Sequence, residues 1–530
     1  WLSGTMISVM RSNYRLRRDP KSPFGLSHIA LTLPAWDISA TILAHSGRVR
    51  GITLMRKTDI AWSRFGLGPR PGDEPLTDPI GWLRDQMDDY RPDLASTGAL
   101  ASRARIIADF YALRTARKQA MEAASMAGDA KVKVAQLPQS RQFRGHYEAQ
   151  AAVRIRAAVA SETPFVDRLV HFWSNHFAVS IDKPLVLGLA GLMEFEAIRP
   201  HVLGRFEDML LAVVQHPAML LYLDQIQSIG PKSQFGQKIA ARGRNQGLNE
   251  NLGREILELH TLGARSGYSQ SDVTELARAL TGWTAVGLGN GPVQRLTTRL
   301  GGEPGDFLFA PPLHEPGKRT ILDRTYPQAG MQQVRAILTD LARHLATARH
   351  LATKIARHFI ADDPPAPLVA RLETVYLEKG GDLRAVYAAL ITAPEAWANS
   401  ESKFRTPWDW LIGAFRLQGG VPEMPDNPDQ ADHQLAGLFA QLGQPIWQPG
   451  SPAGFADSAG DWAGPEALFR RVEVAQRLAR HTSPATDPRE VAGRVFSEAL
   501  RPATAQVVAR AESPQQGMAL LLVAPEMMRR

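Results

Sequence analysis

The chain has 530 residues, several times the length one hydrophobic core usually serves, so one very large body or two to three packed subdomains are both open. Its 44% hydrophobic and 22% charged residues are ordinary for a globular protein, and no stretch reaches the ~18 apolar residues that span a bilayer, which excludes disordered and membrane-spanning classes. The absence of cysteine excludes disulfides, thiolate metal sites and cysteine nucleophiles, and the formal charge of +8 asks where the basic residues lie.

Residues 1–54 hold seven Lys or Arg against two acids and so supply +5 of that charge. They lack a sustained period of 2 or 3.6, and Arg15-Leu-Arg-Arg18 is not followed by the apolar stretch of an export signal. They read as a leader or disordered extension outside the folded body, and both cytoplasm and periplasm stay open. Helical periodicity begins near Met55, where Ile60, Trp62 and Phe65 lead into the loop Gly66 to Gly72. Its prolines, and the helix-like segment before it, argue against a phosphate-binding loop. Asp78-Pro79 then marks a helix start.

Between Arg114 and Arg156 nine basic residues face three acids in an Ala-rich stretch that includes Arg117, Lys118, Lys131, Lys133, Arg141 and Arg144. This is read as a solvated helical arm. Only Phe143 and Tyr147 lie near enough to serve as base readers, so nucleic-acid binding is the weakest functional reading.

Helical patterns continue through 166–177, 185–198, 206–223 and 252–262, with a capping box at Ser269 and Asp272. Residues 284–330 interrupt them, and Phe307 to Phe309 with Thr320 to Leu322 are expected to form one small hairpin. Asp363-Pro364 is expected to cap a helix that Gly380-Gly381 ends; Asp382 starts another, which Pro394 closes. The long Pro/Gly segment from Gly419 to Gly464 is either an ordered irregular lobe or a boundary. The expected fold is all-α with at most a small β-hairpin, divided into a main body at 55–418 and a C-terminal part at 419–530.

Several blocks stand out together: Phe172-Trp-Ser-Asn-His-Phe177, His216 to Asp224, Asn249-Glu-Asn-Leu-Gly-Arg-Glu-Ile-Leu-Glu-Leu-His-Thr-Leu-Gly263 and Ala279-Leu-Thr-Gly-Trp-Thr284. To these add His314-Glu-Pro-Gly317, Leu351-Ala-Thr-Lys354 with His358-Phe359, Gly443-Gln-Pro445 and Ser451-Pro-Ala-Gly454. In this order they resemble the bacterial family named only as domain of unknown function 1800, from about Met55 to near the C-terminus. The resemblance implies a helical protein, and a sulfatase-like protein as partner. It brings no reaction and no cofactor.

At 100° per residue, Asn251, Arg254, Glu255, Glu258 and Thr261 share one helix face and Leu252, Ile256 and Leu259 another. One reading is an Arg254–Glu258 surface pair worth a few tenths of a kcal/mol. The other is a cleft, with Glu255 or Glu258 as acid, base or metal ligand and Asn249, Glu250 and Asn251 orienting a ligand. His176 is a core histidine or a ligand that needs Glu255, Glu258, His260 or His314 brought to it. No His-Glu-x-x-His pattern occurs, so metal content stays open. His350, Lys354 and His358 form a polar stripe whose outer histidines, ~12 Å apart, cannot share one ion. Lys354 reads as a partly buried cation pairing with an acid such as Glu255, and Trp283 as an aromatic anchor or a stacking surface.

Two functional readings therefore lead. One is a helical protein whose polar cleft, with Asn175, Asn249, Glu250, Asn251, Glu258, Trp283, His314 and Lys354 as ligand-binding candidates, organises a ligand or partner. The other is a hydrolase-like enzyme, with or without a metal, whose catalytic residues are His176, Arg254 and Glu255. Both expect those last three to converge on one internal polar site.

Overall fold

The computed structural model describes residues 57–126, 137–243, 248–398, 403–422 and 427–530. The expected leader, the onset at Met55, and Lys131 and Lys133 lie outside these. Local chemistry sets the helix starts. Pro79, Pro138, Pro164, Pro407 and Pro465 each occupy a first turn, where the missing N–H costs no helical bond. Side-chain caps at Asp78, Asp382, Thr406 and Ser513 take up free amides. Ser269 and Asp272 form a reciprocal capping box. The helix expected to begin at Asp363-Pro364 instead begins at Ala366, because consecutive prolines hold the preceding backbone extended.

Among the described residues the fold is predominantly helical, with two small two-stranded antiparallel sheets. Both expected strands exist, but they do not pair with each other. Phe307–Phe309 pairs with Trp283–Ala285, and Arg319–Ile321 pairs with Arg324–Tyr326. The second pair is closed by Leu322 and Asp323, at φ 48° and 60°, which makes a two-residue turn matched to strand twist. The partner strands, Trp283–Ala285 and Arg324–Tyr326, carry too little alternation to be seen beforehand.

The helix Pro164–His176 is buried on every side except at Asn175, so it runs through the interior rather than along a surface. Three of the polar groups it carries inward are matched: Asp167 to Arg199 at 2.8 Å, Arg168 to Asp409 at 3.0 Å, and Trp173 Nε1 to the Tyr387 hydroxyl at 2.6 Å. The helices Pro138–Ala160, Leu345–Phe359 and Pro407–Leu417 also contribute to the continuous apolar core, and Pro428–Gln441 packs on Pro138–Ala160. By contrast Arg103–Met126 buries only Ile106 and Ile107, near its start. Among the described residues no helix is long and apolar enough to cross a membrane.

Candidate functional site

The 249–263 block does not continue as one α-helix. Asn251–Glu255 is α-helical and Ile256–His260 is a π-turn, so the even 100° projection fails after Glu255. Asn249 acts on backbone: its Nδ2 donates to the carbonyls of Leu223 and Asp224 at 3.1 and 3.0 Å, and its Oδ1 accepts from Asn251 N. Arg254 pairs with Glu250 at 3.3 Å rather than with Glu258, and also donates to Gln270; its side chain is 39% exposed. Glu250 is held below the usual carboxylate range, chiefly by the Thr274 hydroxyl. Glu258 accepts from the Tyr268 hydroxyl at 2.9 Å. Glu255 is pushed up by partial burial and by Glu258, opposed by Arg254.

His176 meets this block at His260. Its ring is 1% exposed and lies among Phe172, Trp173, Phe177 and Phe206, with the His260 and His350 rings 6.3 and 6.2 Å away. Nε2 donates to the His260 carbonyl at 3.2 Å, which fixes the tautomer and leaves buried Nδ1 without a partner. Burial, then Lys354, His350 and His260, push this histidine well below its ordinary range, so it is neutral at pH 7. Among the described residues no hydrogen bond or ion pair joins His176 to Arg254 or Glu255. Arg254 turns toward Glu250 and Gln270 at the surface, while His176 is enclosed by aromatic rings and histidines. Trp283 is fully buried, edge-on to Phe307 at 5.0 Å, and His314 Nδ1 donates to the Thr281 carbonyl at 2.9 Å.

What does gather around His176 is a cavity of about 220 Å³. The helices Pro164–His176 and Leu345–Phe359, the start of Pro407–Leu417 and the irregular segment 444–457 form its walls. Of the expected site residues, Asn175, His176 and Lys354 line it. Arg154, Arg168, His171, Arg357, Asp409 and Asp457, which no sequence pattern marks as site residues, line it too. Segment 444–457 is pinned over the cavity by Asn175, whose Nδ2 donates to the Phe455 carbonyl at 2.9 Å and whose Oδ1 accepts from Phe455 N at 2.7 Å. On the far side His358 Nδ1 donates to Asp457 at 2.9 Å, and Lys403 pairs with Asp457 and Asp362 at 3.1 and 2.8 Å.

The close seating of this segment requires Gly454. Its φ is 82°, and an added Cβ would stand 2.3 Å from the Asn175 carbonyl oxygen. Gly454→Ala is expected to cost about 1–3 kcal/mol, read as a lower urea midpoint with unchanged slope. An unchanged midpoint would show that the segment does not press on Asn175.

The cavity wall is rich in cations, and nearly all are matched. Arg168 meets Asp409, which also meets Arg530 at 3.2 Å. Arg154 meets Glu194 at 3.0 Å and lies over the Trp408 and Trp447 rings at 4.3 and 5.2 Å. Arg357 donates to the Asp362 carbonyl at 3.0 Å. His171 accepts from Trp408 Nε1 at 2.9 Å and is held neutral, first by burial and then by Arg154. Lys354 is the exception. Among the described residues its ammonium has no hydrogen-bond or ion-pair partner, and the acid acting on it is Asp457 across the cavity, not Glu255. Burial and Arg357 outweigh Asp457 and push the amine down to about 8. Among the described residues no three His, Asp or Glu side chains are grouped as a metal-ligating set.

A family model described as a protein of unknown function, DUF1800, matches residues 60–529. No curated protein and no solved structure matches the chain.

Proposed function

The chain belongs to this DUF1800 family, and we propose that it binds a small anionic ligand in the cavity between the helices Pro164–His176 and Leu345–Phe359. One observation carries the reading: Lys354 faces a cavity with no hydrogen-bond or ion-pair partner among the described residues, while Arg154 and Arg168 are paired with carboxylates and Arg357 is held by a backbone carbonyl. A partly buried ammonium without a counter-charge is costly, and an incoming carboxylate or phosphate would supply both charge and hydrogen-bond acceptors. The Trp408, Trp447 and Phe455 side chains give the cavity apolar walls, so an anion with a carbon skeleton suits it better than a bare ion. Four of the blocks that carry the family resemblance also meet at this cavity, through Asn175 and His176, Lys354, Gln444, and Ala453.

The test is a panel of phosphate, pyrophosphate, citrate and sulfate, read by thermal shift and calorimetry. At least one is expected to bind saturably with one site per chain. Because the free amine titrates at about 8, the bound form needs a proton that the free form loses above that pH. Affinity is therefore expected to fall as pH rises from 7 to 9. Absence of saturable binding by every anion at pH 7 would end the reading.

A further inference from the structure

We propose that the helical arm is an interface for a second copy of this chain, in a two-fold dimer where each arm lies on the acidic strip of the other. From Arg114 to Met126 no residue of the helix Arg103–Met126 is buried. Only the Ala116, Ala120 and Ala124 face of this 13-residue stretch is half-buried among the described residues, so it has little of the packing that usually holds a helix.

One face of it carries Arg114, Arg117, Lys118 and Met121 at helical spacing, with Met121 54% and Met126 89% exposed. Arg117 has no ion-pair partner among the described residues, and Lys118 has only its helix neighbour Glu122 at 3.7 Å. Arginine and methionine on an exposed face are the composition of a protein interface. No aromatic residue lies between Arg114 and Met126, as base stacking on nucleic acid would want.

The same chain carries the complementary surface. Residues 73–93 hold seven acids, Asp73, Glu74, Asp78, Asp85, Asp88, Asp89 and Asp93, against Arg84 and Arg91. Asp85, Asp89 and Asp93 are exposed, on or just after the helix Pro79–Asp89, whereas Asp88 is already paired with Arg384 and Asp73 with Arg70. A two-fold axis lets each arm meet the strip of the other copy at once, so the pairing closes instead of growing into a filament. Each arm offers about 20 Å of helix to its partner, and charge complementarity of this kind sets register and weakens with salt.

The test is sedimentation of the full chain at 50 and 500 mM NaCl. A dimer at low salt that dissociates at high salt is expected. Arg117→Glu with Lys118→Glu should give a monomer, as should Asp85→Lys with Asp89→Lys, and mixing the two variants should restore a dimer because both contacts then carry opposite charges. That recovery also shows that both variants are folded. A monomer at every concentration in low salt, or a dimer indifferent to the arm substitutions, would overturn the proposal. So would a monomer whose arm instead binds vesicles containing phosphatidylserine or a DNA duplex.

Discussion

Asp409→Asn is expected to lower the unfolding free energy by about 3–5 kcal/mol, the usual cost of removing one member of a buried ion network. Asp409 is 5% exposed and sits between the guanidiniums of Arg168 and Arg530, themselves 2% and 1% exposed. Although burial alone would push its carboxyl up, these two guanidiniums hold it far below the usual range. Without the carboxylate, two buried cations would face each other unmatched. The sign of the pH dependence follows. The unfolded carboxylate takes up a proton near pH 4 that the folded one refuses, so the stabilisation is full above that pH and declines as pH falls through it. The asparagine variant should lack this part of the acid dependence. Urea unfolding at pH 7 and at pH 2.5 checks both statements, and a loss below about 1 kcal/mol at pH 7 would show that the network is not enclosed.

Lys354→Met is expected to have the opposite profile. Anion affinity should fall about tenfold or more, the worth of a hydrogen bond to a charged group, while stability at pH 7 should be unchanged or higher. Burial opposes the folded ammonium, and its amine titrates at about 8 against an ordinary 10.5. Between those values the unfolded chain binds more protons than the folded one, so wild-type stability should rise with pH across that window. The methionine variant should lack that rise. A variant that keeps its anion affinity would move the ligand away from this lysine, whatever its stability.

The helices were legible because their starts are written locally, by proline in the first turn and by Asp, Ser or Thr before it. The sheets were half legible: Phe307–Phe309 and Arg319–Ile321 were visible, but their partners depend on chain paths that three-residue strands do not encode. The even polar face read across the Asn249 block fails for a definite reason. The Asn249 block has the densest polar pattern, yet a π-turn at Ile256–His260 breaks the projection used to read it, and its polar groups serve backbone ties and surface pairs. His176 and Lys354 were legible as an aromatic-flanked histidine and a lysine among apolar neighbours. Arg168, Asp409 and Asp457 were not. They come from segments far apart in the chain, and Asp457 lies in an irregular Pro/Gly stretch where no period marks a buried acid.

The central claim is that an anion lands on Lys354, and proton uptake on binding tests it most directly. At pH 8.5 the free amine is mostly neutral, given a titration point of about 8, and a bound anion would recharge it. Calorimetry with the tightest anion of the panel, in two buffers of different ionisation enthalpy and corrected for the anion's own ionisation, should show proton uptake at pH 8.5 that is clearly larger than at pH 7. Saturable binding with no uptake at pH 8.5, or with equal uptake by the Lys354→Met variant, would contradict the account.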